Sequence, residues 1–177
     1  MKFSKTKIKD LKIIKLNKIF DSRGFFFRNY CAKQFFKLTK KKIVQSNVSF
    51  NKKKFTLRGF HYQKYPSKEG KFITCLTGKI YNVTIDLRKK SKTYLKIVSA
   101  MVDSKKDKVL YIPPGCANAF LTMENNTTIH YLMTDYYKPK TYECFNFRSK
   151  EIKVKWPAEP KVISHKDKNS KTLNFNE

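Results

Sequence analysis

The side chains that could move a proton or hold an anion are few and widely spaced. Three histidines occur in 177 residues. His61 lies in the run Thr56-Leu57-Arg58-Gly59-Phe60-His61-Tyr62-Gln63, between aromatics and near an arginine; His130 adjoins Tyr131, and His165 sits in a polar C-terminal stretch. Imidazole is the side chain whose ordinary pKa suits proton transfer near neutral pH. A lone histidine is nevertheless more often a satisfied core or surface group than a catalyst, and spacing alone does not select His61. No H-x-H or H-E-x-x-H and no nearby His/carboxylate cluster occurs, so no metal site is expected. Neither G-x-G-x-x-G nor a P-loop is present, which removes the usual dinucleotide and ATP signatures. Cys31, Cys75, Cys116 and Cys144 lack C-x-x-C spacing and read as reduced, mostly buried thiols.

The formal net charge of +27 invites a nucleic-acid reading, because basic proteins gain affinity for phosphate polyanions by counterion release. Two details argue otherwise. The chain has 35 lysines against five arginines, whereas base and phosphate readout favours the planar guanidinium fork. The lysines are also dispersed: residues 1–54 hold 17 basic and 2 acidic side chains, interleaved with apolar ones. The pattern fits a solvated basic surface with a general preference for anionic ligands such as a diphosphate, and no specific nucleic-acid partner is expected.

The elements that must position these groups are mostly strands. Ile80 to Leu87 alternates, with Tyr81, Val83, Ile85 and Leu87 on one face and Ile80, Asn82, Thr84 and Asp86 on the other. Further β-rich runs cover Phe72 to Leu76, Tyr94 to Val102, Val109 to Ile112 and Thr127 to Tyr137, separated by turn-like pieces. Ala32 to Thr39 is the one good helix candidate, and a short helix is expected near Glu151. Length and spacing indicate a single domain over 1–177, mainly β, a sandwich or barrel, with a polar tail from about residue 168. No apolar stretch approaches the ~18 residues needed to cross a bilayer, and the lysine-studded start lacks the unbroken apolar segment of a signal peptide. A cytoplasmic protein without membrane insertion is expected.

An ordered series of motifs then carries a resemblance: Asp21-Ser22-Arg23-Gly24-Phe25-Phe26-Phe27, Gln45-Ser46-Asn47, Leu57-Arg58-Gly59-Phe60-His61-Tyr62-Gln63, Gly70-Lys71, Asp86-Leu87-Arg88, Ile112-Pro113-Pro114-Gly115, Thr134-Asp135-Tyr136-Tyr137, Trp156-Pro157 and Ser164-His165-Lys166-Asp167. From about Ile14 to Lys171 the chain resembles the dTDP-4-dehydrorhamnose 3,5-epimerases, nucleotide-sugar epimerases of the cupin class. The resemblance implies a jelly-roll β-barrel without metal or other cofactor, usually a homodimer exchanging N-terminal strands. Its substrate would be a nucleoside-diphosphate 4-keto-6-deoxyhexose, epimerised at C3, C5 or both for surface-polysaccharide synthesis.

A proton on a carbon beside a ketone is weakly acidic, and its removal leaves an enolate, so such a site needs a base, an oxyanion stabiliser and an acid on the far face. By the resemblance, His61 is the base, Asp167 its carboxylate partner, Lys71 the cation near the keto oxygen and Tyr131 the acid. Read without it, Tyr131 is an ordinary strand aromatic. Arg23, Arg58 and Lys166 match positions near the diphosphate, where arginine suits bidentate binding. Gln45 and Asn47 match the sugar pocket, Phe26 the nucleobase, and Tyr136 a position close to the sugar.

Three departures from the family pattern stand out. Arg28 stands where glutamate is common near the nucleobase, Asn118-Ala119 replaces His-Gly at a ligand contact, and Asn82 replaces aspartate on the polar strand face. The base, its partner, the lysine and the tyrosine all survive. A related 3,4-ketoisomerase and a non-catalytic nucleotide-sugar-binding cupin are the alternative readings.

Overall fold

The computed structural model describes residues 2–106 and 108–173. Two sheets face each other. The first has the order β1 (Lys2–Lys5), β2 (Lys12–Lys15), β10 (Lys108–Ile112), β7 (Lys71–Thr77), β12 (Thr127–Met133) and β5 (Gln45–Asn51). The second runs β13 (Tyr142–Cys144), β6 (Thr56–Gln63), β11 (Cys116–Thr122), β8 (Lys79–Asp86) and β9 (Ile97–Asp103), and β14 (Val162–Ile163) joins β6 in parallel. A separate hairpin pairs β3 (Lys18–Asp21) with β4 (Gly24–Phe27). This is the jelly-roll architecture expected from the sequence.

Three apolar layers hold it together. Between the sheets, Ile73, Leu110, Ile112 and Ile129 of the first pack against Ile80, Val102, Cys116 and Phe120 of the second. Behind the second sheet, Leu57, Phe60, Val83 and Ile85 are covered by Phe145, Phe147, Ile152 and Trp156. Behind the first, Phe72, Tyr111 and Leu132 meet Phe35 of α1 (Ala32–Thr39). The helix has the expected bounds; it ends at Lys40, whose φ of 56° is left-handed and whose N–H caps the Phe36 carbonyl.

The alternation read over Ile80 to Leu87 is realised in β8, but both faces are buried. Ile80, Asn82, Thr84 and Asp86 turn toward the facing sheet with no exposed surface. Buried polar groups require partners, and Asp86 accepts hydrogen bonds from Arg88, Ser91 and Thr93.

Other expectations need correction. The strand from Thr127 ends at Met133, because Gly70 N–H bonds Thr134 Oγ1 at 2.7 Å where the ladder would continue. The strand expected from Tyr94 begins at Ile97, after a turn in which Leu95 adopts a left-handed φ of 62°. No helix forms at Glu151, where Ile152 N–H closes a turn on the Ser149 carbonyl. The short helix is instead α2 (His165–Lys168), capped by Ser164 Oγ accepting from Asp167 N–H. Of the expected polar tail, residues 174–177 lie outside the described ones. All four cysteines are free, Cys75 and Cys116 buried and Cys31 and Cys144 half-buried.

Candidate active site

A cavity of about 260 Å³ opens between the sheets, lined by Asn47, Ser49, Arg58, His61, Lys71, Asn118, Phe120, Tyr131 and Met133. Strand register explains most of this set. On the first sheet Met133 pairs with Lys71 on one side and Gln45 on the other, and Tyr131 pairs with Ile73 and Asn47. One strand face therefore carries Lys71, Asn47 and Tyr131 inward, as period-two alternation requires.

On the second sheet simple alternation would fail. Arg58 and His61 are three residues apart, which in a regular strand sends them to opposite faces. The β6–β11 register slips, however: Asn118 pairs with His61, and Phe120 with Arg58. Three steps on β6 thus match two on β11, and the extra residue re-aims the chain so that both side chains enter the cavity. Gly59 makes the slip sterically allowed. Its φ is +121°, and a Cβ there would lie 2.6 Å from the Ala119 Cα and the Asn118 carbonyl oxygen.

His61 Nε2–H donates to Asp167 Oδ1 at 2.7 Å, leaving the imidazole lone pair on Nδ1. The second carboxylate oxygen of Asp167 accepts from Gly59 N–H at 3.1 Å. Asp167 is 4% exposed. Burial alone would raise its pKa, but hydrogen bonds from His61, Gly59 and the Ser164 cap outweigh it and hold the carboxyl below its ordinary value. Asp167 therefore stays ionised, fixing the tautomer and orientation of His61.

Tyr131 faces His61 from the opposite sheet. Its burial pushes the phenol up to about 12 against the opposing pull of Ser49 and Arg58, so it keeps its proton at neutral pH. Lys71 Nζ lies 3.2 Å from Glu69 Oε1, with the two side chains only 16% and 5% exposed. Glu69 is in turn held by Gln63 Nε2 at 2.5 Å, and Gln63 by Thr141. Arg58 is steadied by Asn51 Oδ1 at 2.8 Å. One wall thus presents an imidazole backed by its carboxylate, another a protonated phenol, and the cations Lys71 and Arg58 complete the lining.

Of the residues expected from the sequence, His61, Lys71, Tyr131, Arg58, Asn47 and Asn118 share this cavity, with Asp167 directly behind His61. The others lie outside its lining. Gln45 accepts from Tyr137 N–H at 2.6 Å, and Tyr136 is exposed at the following turn. Lys166 stacks its ammonium 4.1 Å above the Tyr142 ring, which itself lies 5.5 Å from the His61 ring. Arg23 is bound to Asp21 on the exposed β3–β4 hairpin, and Phe26 and Arg28 line a separate shallow pocket with Asn17, Ile19 and Gln34. Ser49, Phe120 and Met133 were not foreseen, although alternation from Asn47 and Tyr131 points to Ser49 and Met133. Glu69 carried a signal too, two residues before Lys71. Among the described residues no three His, Cys, Asp or Glu side chains gather where they could hold a metal ion.

The comparison with known proteins decides the family. The model of the family described as dTDP-4-dehydrorhamnose 3,5-epimerase matches residues 5–174. The chain belongs to this family of isomerases. It is 34% identical to the dTDP-4-dehydrorhamnose 3,5-epimerase of Salmonella typhimurium over 86% of this chain and 84% of that one, and 32% identical to that of Shigella flexneri over 96% and 94%. The epimerase of Bacillus anthracis, solved with TDP and pyrophosphate bound, superposes with a TM-score of 0.92 at 31% identity, covering 97% of this chain and 99% of that one. The Legionella pneumophila enzyme, solved with dTDP-4-keto-L-rhamnose, gives 0.92 at 31% identity over 99% and 94%.

Proposed function

We propose that this chain epimerises a nucleoside-diphosphate 4-keto-6-deoxyhexose at C3, C5 or both, with dTDP, the nucleotide its relatives are named for, as the first candidate. The observation that carries the reading is the His61–Asp167 pair facing a protonated Tyr131 across one cavity. Nδ1 of His61 removes the proton beside the ketone, and the resulting imidazolium is stabilised by the Asp167 carboxylate. Negative charge developing on the keto oxygen is met by Lys71. Tyr131 returns a proton to the opposite face, inverting the carbon, and exchange with solvent then takes the proton from His61 and restores the one lost by the Tyr131 phenolate.

The nucleoside diphosphate is drawn by Arg58 and by the net charge of +27. In this reading Gln45, Tyr136 and Lys166 serve the rim of the same site. Arg23, Phe26 and Arg28 serve it from a second copy: the hairpin that carries them exposes Ile19, Phe20, Phe25 and Phe26, and the edge strand β5 exposes Val48 and Phe50. Such apolar surface suits a homodimer interface. The single domain works in the cytoplasm in polysaccharide-sugar synthesis; no helix among the described residues is long and apolar enough to cross a membrane.

Incubation in heavy water with dTDP-, CDP- and GDP-linked 4-keto-6-deoxy sugars tests the reading. Each inverted carbon gains deuterium, located by NMR. Absence of exchange with all three nucleotides overturns it, and a ketone that moves from C4 to C3 would make the chain a ketoisomerase.

A further inference from the structure

Asn82 and Asn118, two of the positions where the sequence departs from the family pattern, are hydrogen-bonded to each other. Asn118 Nδ2 donates to Asn82 Oδ1 at 2.6 Å and to the Val83 carbonyl at 3.1 Å. Asn82 Nδ2 continues the chain to Thr84 Oγ1 at 3.2 Å. Both side chains are buried, Asn82 fully and Asn118 to 7% exposure. A backbone carbonyl can only accept, so the Val83 contact fixes which end of the Asn118 amide faces it. Turning the amide over would set its oxygen against two other oxygens.

The amide oxygen of Asn118 is therefore left over. Among the described residues Trp156 Nε1 is the one solvent-inaccessible side-chain nitrogen or oxygen without a hydrogen bond, so the unbonded Asn118 Oδ1 keeps some accessible surface. The space Asn118 lines is the His61 cavity, and β11 sets it directly across from His61. The cavity wall beside the base thus presents a fixed, uncharged hydrogen-bond acceptor.

We infer that the Asn82–Asn118 pair is a specificity device that takes a ring hydroxyl of the sugar and favours hydroxylated substrates over deoxy ones. This rests on the nucleotide-sugar reading above. A 4-keto-6-deoxyhexose joined through C1 to a diphosphate keeps only two hydroxyls, on C2 and C3, so the donor is one of these. Asn118 makes the contact, and Asn82 is a positioning residue that aims it. Being neutral, the pair holds its selectivity across pH.

The test compares kcat/KM for deuterium uptake from the parent dTDP-4-keto-6-deoxyhexose with that from its 2-deoxy and 3-deoxy counterparts, read at a carbon both sugars can exchange. Wild type, Asn118→Ala, Asn118→Leu, Asn82→Ala and Asn82→Asp are used. Intrinsic carbon acidity cancels between proteins. For one of the two analogues the deoxy penalty is about 10-fold larger in wild type than in Asn118→Ala or Asn118→Leu, the size of one net hydrogen bond. Asn82→Ala narrows the penalty, and Asn82→Asp restores it, because a carboxylate accepts from the same Nδ2. Penalties equal within two-fold in wild type and both Asn118 variants, for both analogues, overturn the inference while leaving epimerisation intact. Should the variants fail to fold, equal wild-type rates for parent and both analogues overturn it as well. No uptake from the parent sinks the functional reading itself.

Discussion

His61 and Asp167 are 106 positions apart in sequence and 2.7 Å apart in space. The contact is made by α2, whose Ser164 cap and whose docking against β6 place the carboxylate under both the imidazole and the Gly59 N–H. On the proposed mechanism, removing either partner removes the base or its tautomer. His61→Asn is expected to lose on the order of 10²-fold or more in turnover, and Asp167→Asn a similar factor, since general acid–base steps contribute roughly 10²–10⁴-fold. Steady-state epimerisation kinetics measure both; turnover of His61→Asn within a few-fold of wild type would displace His61 as the base.

Tyr131→Phe separates proton removal from inversion. On the proposed mechanism His61 can still take the proton and return a deuteron to the same face, while the far-face donor is gone. Deuterium uptake into the starting epimer should persist in heavy water as inverted product falls about 10²-fold or more. Loss of both in equal measure would show that the phenol is needed before deprotonation.

Gly59→Ala strikes both the backbone and the packing. The φ of +121° is one that L side chains rarely adopt, and the added methyl meets Ala119 and the Asn118 carbonyl at 2.6 Å. The conformational cost alone is about 1–3 kcal/mol, which for a chain of this size lowers Tm by about 2–4 °C per kcal/mol. Activity should fall further than Tm implies, because Gly59 also holds the Asp167 carboxylate. A thermal melt and an assay on the same sample check the two effects.

Asp86 contributes to acid stability. Burial opposes its ionisation, but bonds from Arg88, Thr93 and Ser91 bring its pKa down to about 2 from an ordinary 3.8. A carboxyl depressed in the folded state contributes stability that is present above its unfolded pKa and lost as pH falls through the folded one. The contribution is about 2 kcal/mol, fading between about pH 4 and pH 2. Asp86→Asn should lower Tm at neutral pH and flatten the wild-type fall across that window; an unchanged slope in Tm against pH would contradict it.

The chain order alone determined a good deal. The helix Ala32–Thr39 and the alternating strand at Ile80 were legible because a local apolar period states them directly. That His61, Lys71 and Tyr131 line one cavity, with Asp167 behind His61, was expected from the family resemblance and not from any local period. The short strands Lys2–Lys5, Lys12–Lys15 and Lys18–Asp21 were not, since lysine-rich segments of four residues become strands only when a neighbouring edge supplies the hydrogen bonds.

Tertiary structure alone decided how those residues meet. Arg58 and His61 share a face because β6 slips by one residue against β11, and register between strands is a property of the pair. Asn82 meets Asn118 through a contact that a residue's type does not announce. Sequence supplies the reactive groups and the local periods; which groups converge depends on pairings between segments far apart in the chain, and those exist only once the barrel closes.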